Sequence, residues 1–161
     1  MKSRNVRGVI SSARLLGAAC LVSLAVVGCD DDSPSGPGAP GFLSGVWRGT
    51  ITLNVGAEPA VAGDVSCLFT PRGDGDEPHA SATCNIQSAW LDTSFGGDVM
   101  LDDTEPPTAL RLDTTYSSPR GCVGTLHLDG QATETRVTAT ANGVDCDNLP
   151  WTANLELVQA P

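Results

Sequence analysis

The sequence predicts an antiparallel all-β domain on the strength of three observations. From residue 42 onward, apolar and polar residues alternate with period two in short segments. Polar loops rich in Gly, Pro, Asn and Asp separate these segments, and no segment after the first 28 residues has the apolar spacing of an amphipathic helix. The connections are short, so we expect strands that are consecutive in sequence to be neighbours in the sheet.

The first 28 residues have the organisation of an export signal. A basic start is followed by an apolar run from Leu15 to Val27, which is shorter than the roughly 20 residues of a membrane-spanning helix. The segment Leu24–Cys29 resembles a bacterial lipobox, the signal cut just before a cysteine that then carries lipid. The resemblance implies a mature chain that begins at Cys29. That residue would carry a diacylglycerol thioether, often with a further acyl chain such as palmitate on its amine.

Residues 29–41 are rich in Asp, Pro and Gly, a composition that cannot bury a core. We interpret them as a tether, which in a flexible regime spans roughly 20 Å. The predicted organisation is therefore a signal peptide at 1–28, a tether at 29–41 and one β domain at 42–161. The expected location is the bacterial cell envelope, with the protein attached to a membrane through Cys29, on the periplasmic or the surface side.

The β domain contains eight candidate strands. In the first, Trp47, Ile51 and Leu53 share one face, and in the last, Trp151 and Leu155 do so, which is the signature of half-buried strands. An up-and-down meander of eight strands can close into a barrel and leave no unpaired edge. A barrel is the predicted architecture, and a two-sheet β-sandwich, which usually has more aromatic residues in its core, is the alternative. The strands are predicted near 46–55, 61–70, 79–86, 95–101, 108–114, 121–128, 134–141 and 150–158.

Polar segments at 71–78 and 102–107 and the dipeptide Asp129-Gly130 are predicted to be hairpin turns. The first of these loops carries Asp74, Asp76 and Glu77, whose carboxylates are the hard oxygen ligands that Ca²⁺ prefers. The loop lacks the full calcium-binding loop pattern, so solvated turn residues are the favoured interpretation and a calcium site is the weaker one. We expect no other metal and no cofactor.

The four cysteines after Cys29 predict two disulfides, as expected for an even number in an exported protein. The midpoint between Cys67 and Cys84 falls inside the 71–78 loop, and both cysteines lie on the apolar faces of their strands. Cross-strand partners must share a face and a register, so Cys67–Cys84 is the preferred pair. Cys122–Cys146 follows by elimination, with Cys146 expected in a loop. The cysteines show no C-x-x-C spacing, so a zinc site is not expected.

Gly45 and Trp47, in the segment Ser44-Gly45-Val46-Trp47, resemble the G-x-W that opens the first strand of lipocalins. A small residue followed by Trp is also similar to the start of the avidin-type barrels. The resemblance covers one strand and implies an eight-stranded barrel of this general type. Lipocalins cover this Trp with an Arg from near the last strand, and residues 150–158 contain no Arg.

Charge and motifs exclude several functions. The leader holds four of the nine basic residues and none of the 19 acidic ones, so residues 29–161 carry a net charge of −14. Nucleic acid is therefore not an expected partner, because phosphate binding needs a basic face. The sequence has no G-x-S-x-G, no H-E-x-x-H and no phosphate-binding glycine loop. His79 and His127 fall on outward faces of their strands, and the chain is not expected to be an enzyme.

Two functional hypotheses remain. In the first, the barrel holds a small apolar ligand between Trp47, Phe69, Phe95 and Trp151, in space left by small inward residues such as Gly and Ala. In the alternative, the core is filled and the lipoprotein has a structural or protein-interaction role, contacting another envelope protein through its surface or loops. The sequence identifies neither the ligand nor the partner.

Overall fold

The computed structural model of the chain describes residues 40–73 and 77–161. They form a closed barrel of eight antiparallel strands in which each strand pairs with its neighbours in sequence and the first pairs with the last. The predicted up-and-down barrel is therefore confirmed, and the sandwich is not formed. The signal peptide, Cys29 and nearly all of the tether lie outside the described residues. In the described part, no helix is long and apolar enough to cross a membrane.

The strands are 10 to 12 residues long and are joined by short turns. They are β1 Gly45–Val55, β2 Val61–Arg72, β3 His79–Ser88, β4 Asp92–Leu101, β5 Thr108–Ser117, β6 Val123–Ala132, β7 Arg136–Asp145 and β8 Leu149–Gln159. A 3₁₀ turn at Gly41–Leu43 precedes β1, and a second at Cys146–Asn148 joins β7 to β8. We call the end that holds the first 3₁₀ turn the lower end, and the end that holds the second the upper end.

The register of the strands is staggered around the barrel. A path around the barrel that starts at Gly45 returns to β1 at Val55, a shift of ten residues, when the β4–β5 register of Phe95 and Val99 is continued across the unpaired Gly97 between them. Such a stagger is the geometric condition for closing eight tilted strands into a barrel. Because of this stagger, the order of the strands alone does not show which residues lie at the same height in the barrel.

One predicted turn is wrong. Asp129 and Gly130 lie within β6, and the turn to β7 is at residues 133–135. There the Thr133 hydroxyl accepts a hydrogen bond from the Arg136 amide at 3.0 Å, and the Thr133 amide donates to the Arg136 carbonyl at 2.8 Å. Gly130 is needed because β7 approaches closely. A Cβ at this position would lie 2.5 Å from the Thr138 carbonyl oxygen.

The inward side chains form one continuous apolar core. Alternate residues of every strand are buried, as the period-two pattern predicts. At the lower end, Trp47 and Leu43 are both 0% exposed, and the indole Nε1 of Trp47 donates a hydrogen bond to the Leu43 carbonyl at 3.2 Å. The 3₁₀ turn and Trp47 thus seal this end.

Both predicted disulfides are confirmed. Cys67 and Cys84 are directly paired on β2 and β3, and both are buried inside the barrel. Cys122, which precedes β6, is bonded to Cys146 in the second 3₁₀ turn. This bond ties together two turns of the upper end, 118–122 and 146–148, whereas the first bond crosses strands that are already hydrogen-bonded.

Candidate functional site

The four aromatic residues predicted to surround a ligand lie at different heights in the barrel. Phe69 and Phe95 line a cavity in the interior. Trp47 packs edge-on against Phe69 with ring centroids 6.4 Å apart. Trp151 pairs with Val55, eight residues along β1 from Trp47, which corresponds to about 26 Å at 3.3 Å per residue. The structure therefore brings together Phe69, Phe95 and Trp47 but places Trp151 at the opposite end.

The interior cavity is small and apolar. Its volume is about 20 Å³, whereas sites for small molecules usually measure roughly 300–1,000 Å³. Its lining has no polar surface that could hold a water molecule. The small inward residues do not leave a hollow, because larger ones fill the space opposite them. The lining residues are Cys67, Phe69, Ala82, Cys84, Phe95, Val99, Leu110, Leu112, Leu128, Val137, Ala139, Leu155 and Leu157.

The upper end contains a different kind of cluster, which we call the upper-end cluster. It consists of Trp90, Tyr116, Arg120, Asp145 and Trp151. The rings of Tyr116 and Trp151 are 6.1 Å apart and nearly perpendicular, and those of Trp90 and Trp151 are 6.4 Å apart. These are favourable distances and orientations for aromatic pairs.

Two glycines make room for the buried rings of this cluster. Gly124 of β6 is paired with Tyr116, and a Cβ on Gly124 would lie 2.3 Å from the Tyr116 Cζ. Gly143 of β7 is paired with Trp151, and a Cβ there would lie 2.7 Å from the Trp151 Cζ2. The two large side chains therefore lean over backbone that only glycine leaves open.

The polar atoms of the cluster are unusually buried. The Tyr116 hydroxyl and the Trp151 Nε1 have no hydrogen-bond partner among the described residues. The Asp145 side chain is 2% exposed. Burial, together with the nearby Asp145 carboxylate, raises the pKa of Tyr116 to about 12. The phenol is therefore neutral at physiological pH and remains a hydrogen-bond donor.

Arg120 connects the cluster to solvent. Its Nε lies 3.8 Å from the Asp145 Oδ2, and its Cζ is 5.3 Å from the centroid of the Trp90 ring. The turn that carries it is shaped by Ser118, whose hydroxyl accepts a hydrogen bond from the Arg120 amide at 3.1 Å. Gly121 has a φ of 89°, which explains why glycine occupies this position. The Cys122–Cys146 bond fixes the turn to the strand end that carries Asp145.

Sequence reasoning found Trp151 but not the other four members of this cluster. The sequence contained one signal for Asp145. This residue is an even number of positions from Val137, Ala139 and Ala141, so it falls on the same inward face of β7. A carboxylate in phase with an apolar face indicates a partner or a site. Trp90 and Arg120 lie in turns, where alternation gives no information about direction.

The outer wall carries a charged network on β5 and β6. His127 contacts Asp113 through Nδ1 at 2.5 Å and Asp129 through Nε2 at 2.7 Å. Asp129 also accepts a hydrogen bond from the Arg111 Nε at 3.2 Å. The carboxylates of Asp113 and Asp129 raise the pKa of His127, whereas Arg111 and His127 lower the pKa of Asp129. The predicted outward position of His127 is confirmed.

We expect the contribution of His127 to stability to depend on pH. Because its folded pKa is raised above 6.5, the contribution is complete below that pH and is lost as the pH rises through the raised value. The difference in melting temperature between the wild type and His127→Gln should therefore be larger at about pH 5.5 than at about pH 8.5. The control is the double variant Asp113→Asn/Asp129→Asn, in which adding His127→Gln should have the same effect at both pH values. A difference that is larger at the higher pH would contradict the network.

Among their described residues, the acidic loops bring together no set of carboxylates with metal-ligating spacing. Asp74 and Asp76 lie outside the described residues, which leaves Glu77 as the described member of the predicted calcium candidates. In the 102–107 loop, the Asp103 carboxylate accepts hydrogen bonds from the amides of Thr104 and Glu105 at 2.6 and 3.3 Å, as a turn residue does. Among the described residues, the one group with metal-ligating spacing is Cys122, Asp145 and Cys146, and its two sulfurs are bonded to each other.

Comparisons with protein-family models, with curated proteins and with solved structures found no match to this chain.

Proposed function

We propose that the protein is a lipid-anchored protein of the bacterial cell envelope whose filled barrel acts through its outer surface and its turns. The observation that carries this proposal is the interior cavity of about 20 Å³. A ligand of even six or seven heavy atoms would need several times that volume. The geometry thus favours the structural or protein-interaction role over an apolar ligand held between Trp47, Phe69, Phe95 and Trp151.

The anchor is supported by the Leu24–Cys29 segment and by the two disulfides, which suit a compartment outside the cytoplasm. The described chain enters the barrel at Pro40, at the lower end. The turns of the upper end would be available to an envelope protein or another molecule.

The proposed role is not enzymatic. The sequence contains no G-x-S-x-G hydrolase motif, no H-E-x-x-H metalloprotease motif and no phosphate-binding glycine loop. The net charge of −14 on residues 29–161 disfavours association with anionic surfaces and with nucleic acid. The lipid, and not surface charge, would therefore hold the protein at the membrane.

The anchor is tested with the full-length chain expressed in a bacterium. Mass spectrometry of the membrane fraction should show a protein that begins at Cys29 and carries acyl chains on that residue. Cys29→Ser should remain unacylated, and Cys20→Ser, which changes the cysteine inside the predicted signal peptide, should be acylated as in the wild type. A wild-type product without lipid would refute the anchor.

The filled core is tested separately with the same protein in a non-ionic detergent. Fatty acids, quinones and small aromatic compounds should not change its tryptophan emission, because Trp47 is already packed against Phe69. A saturable change that Phe95→Leu abolishes would instead show that the interior opens for a ligand.

A further inference from the structure

We propose that the upper-end cluster is a binding site for an organic cation of the choline type, and that Arg120 occupies this site in the absence of such a ligand. The inference is independent of the lipid anchor and goes beyond a general interaction role. It rests on the geometry of three aromatic rings, a buried carboxylate and two unpaired donors.

The aromatic part of the site is formed by Trp90, Tyr116 and Trp151. Trp151 lies between the other two rings, at 6.4 Å from Trp90 with a 53° interplanar angle and at 6.1 Å from Tyr116 with a 71° angle. The three rings are thus inclined to one another instead of stacking in parallel. Inclined electron-rich faces of this kind are the usual surroundings of a quaternary ammonium group.

A buried negative charge completes the site. The side chain of Asp145 is 2% exposed, whereas that of its partner Arg120 is 46% exposed. The Arg120 Nε and the Asp145 Oδ2 are 3.8 Å apart. A buried carboxylate normally requires closer compensation than one half-exposed guanidinium provides. The cation over Trp90 is therefore held loosely, while the anion beneath it is fixed.

Two unpaired donors indicate what accompanies the cation. The Tyr116 hydroxyl and the Trp151 Nε1 are buried and have no partner in good hydrogen-bond geometry among the described residues, although the hydroxyl lies close enough to Asp145 and to the Trp151 indole for both to affect its pKa. Buried donors without an acceptor are costly, so a ligand oxygen would be favoured there. That oxygen should be neutral, because a carboxylate would be repelled by Asp145. An amino alcohol with a quaternary ammonium group, such as choline, has both features, since its hydroxyl can accept from these donors and donate to Asp145.

Access requires Arg120 alone to move. Its side chain is half-exposed and projects from the 118–122 turn, so it can rotate into solvent without a change in the barrel. Its guanidinium makes one long ion-pair contact, at 3.8 Å, and one contact with the Trp90 ring. The charge of the bound cation would replace the guanidinium beside Asp145. The strongly acidic domain also raises the local concentration of cations.

Choline chloride is the probe for the test. The full-length protein, in a non-ionic detergent without choline headgroups, is titrated at constant ionic strength while tryptophan emission is recorded. We expect a saturable change with choline, weaker binding of tetramethylammonium, which lacks the oxygen, and weaker binding of glycine betaine, which carries a carboxylate. Vesicles of phosphatidylcholine and of phosphatidylglycerol distinguish a lipid headgroup from the free solute. Binding to the first but not the second would indicate the headgroup.

The variants separate a ligand site from a structural contact. Arg120→Gln removes the guanidinium that competes with choline for the site. This variant should therefore bind choline roughly tenfold more tightly. Arg111→Gln, which removes an arginine that pairs with the exposed Asp129 on the outer wall, should leave choline affinity unchanged. Asp145→Asn and Trp90→Leu should each weaken binding at least about tenfold. The proposal is overturned if neither the wild type nor Arg120→Gln responds to choline, or if Arg120→Gln and Arg111→Gln behave alike.

Discussion

Trp47→Ala is expected to lower the free energy of unfolding by about 3–5 kcal/mol, the usual cost of removing a buried Trp. The side chain is 0% exposed, contacts Phe69 edge-on and donates its indole hydrogen to the Leu43 carbonyl. Alanine would leave a large cavity beneath the 3₁₀ turn and an unpaired carbonyl at the lower end. Urea denaturation followed by far-ultraviolet circular dichroism measures the change.

Trp47→Phe is the matched control. It keeps most of the apolar volume but loses the hydrogen bond to Leu43, so its cost should be on the order of 1–2 kcal/mol. The two substitutions together separate packing from hydrogen bonding. Equal losses for Phe and Ala would show that the hydrogen bond dominates, and no loss for Ala would contradict Trp47 as the plug of the barrel.

Removing the Cys67–Cys84 disulfide, with alanine at both positions, is expected to destabilise the domain by about 3 kcal/mol. The bond closes a sequence separation of 17 residues, and both cysteines also line the interior cavity. The loss therefore combines greater freedom of the unfolded chain with a less well-filled core. The same denaturation experiment measures it.

Cys122→Ala/Cys146→Ala serves as the comparison. Its sequence separation of 24 residues predicts a similar cost of about 3 kcal/mol. Only this variant should alter the near-ultraviolet circular dichroism of the upper-end cluster, because the bond fixes the turn that carries Arg120. The partly exposed Cys122–Cys146 bond should also be reduced first by a dithiol in the native state, since Cys67 and Cys84 are each 4% exposed. Earlier reduction of Cys67–Cys84 would contradict the buried position of that bond.

The fold could be predicted from the sequence because most strands have one apolar face. The alternation around Trp47 in β1 and around Trp151 in β8 is regular, and the cysteine positions agree with the register of β2 and β3. The prediction failed at Asp129-Gly130, where a turn-forming dipeptide lies in a strand. Glycine is needed at this position because β7 approaches closely, and local turn propensity does not reveal that approach.

The upper-end cluster could not be predicted from local patterns. Tyr116, Asp145 and Trp151 come from three different strands, and they meet because the stagger of the register sets their heights. Trp90 and Arg120 lie in turns, whose side-chain directions depend on how the barrel closes. The volume of the interior cavity could not be predicted from the sequence either, because it depends on which large residues face the small ones across the barrel.

Closure of the barrel also limits how other chains can recognise this protein. In the part of the chain that the structure describes, every strand pairs with a neighbour on both sides, β1 to β8 included, and the β4–β5 ladder is interrupted between Phe95 and Val99, so the wall presents no free strand edge. A peptide cannot bind by extending the sheet, and neighbouring copies cannot associate strand to strand. If many copies are crowded on one membrane surface, they can therefore stay separate, and selectivity must come from side chains and turns.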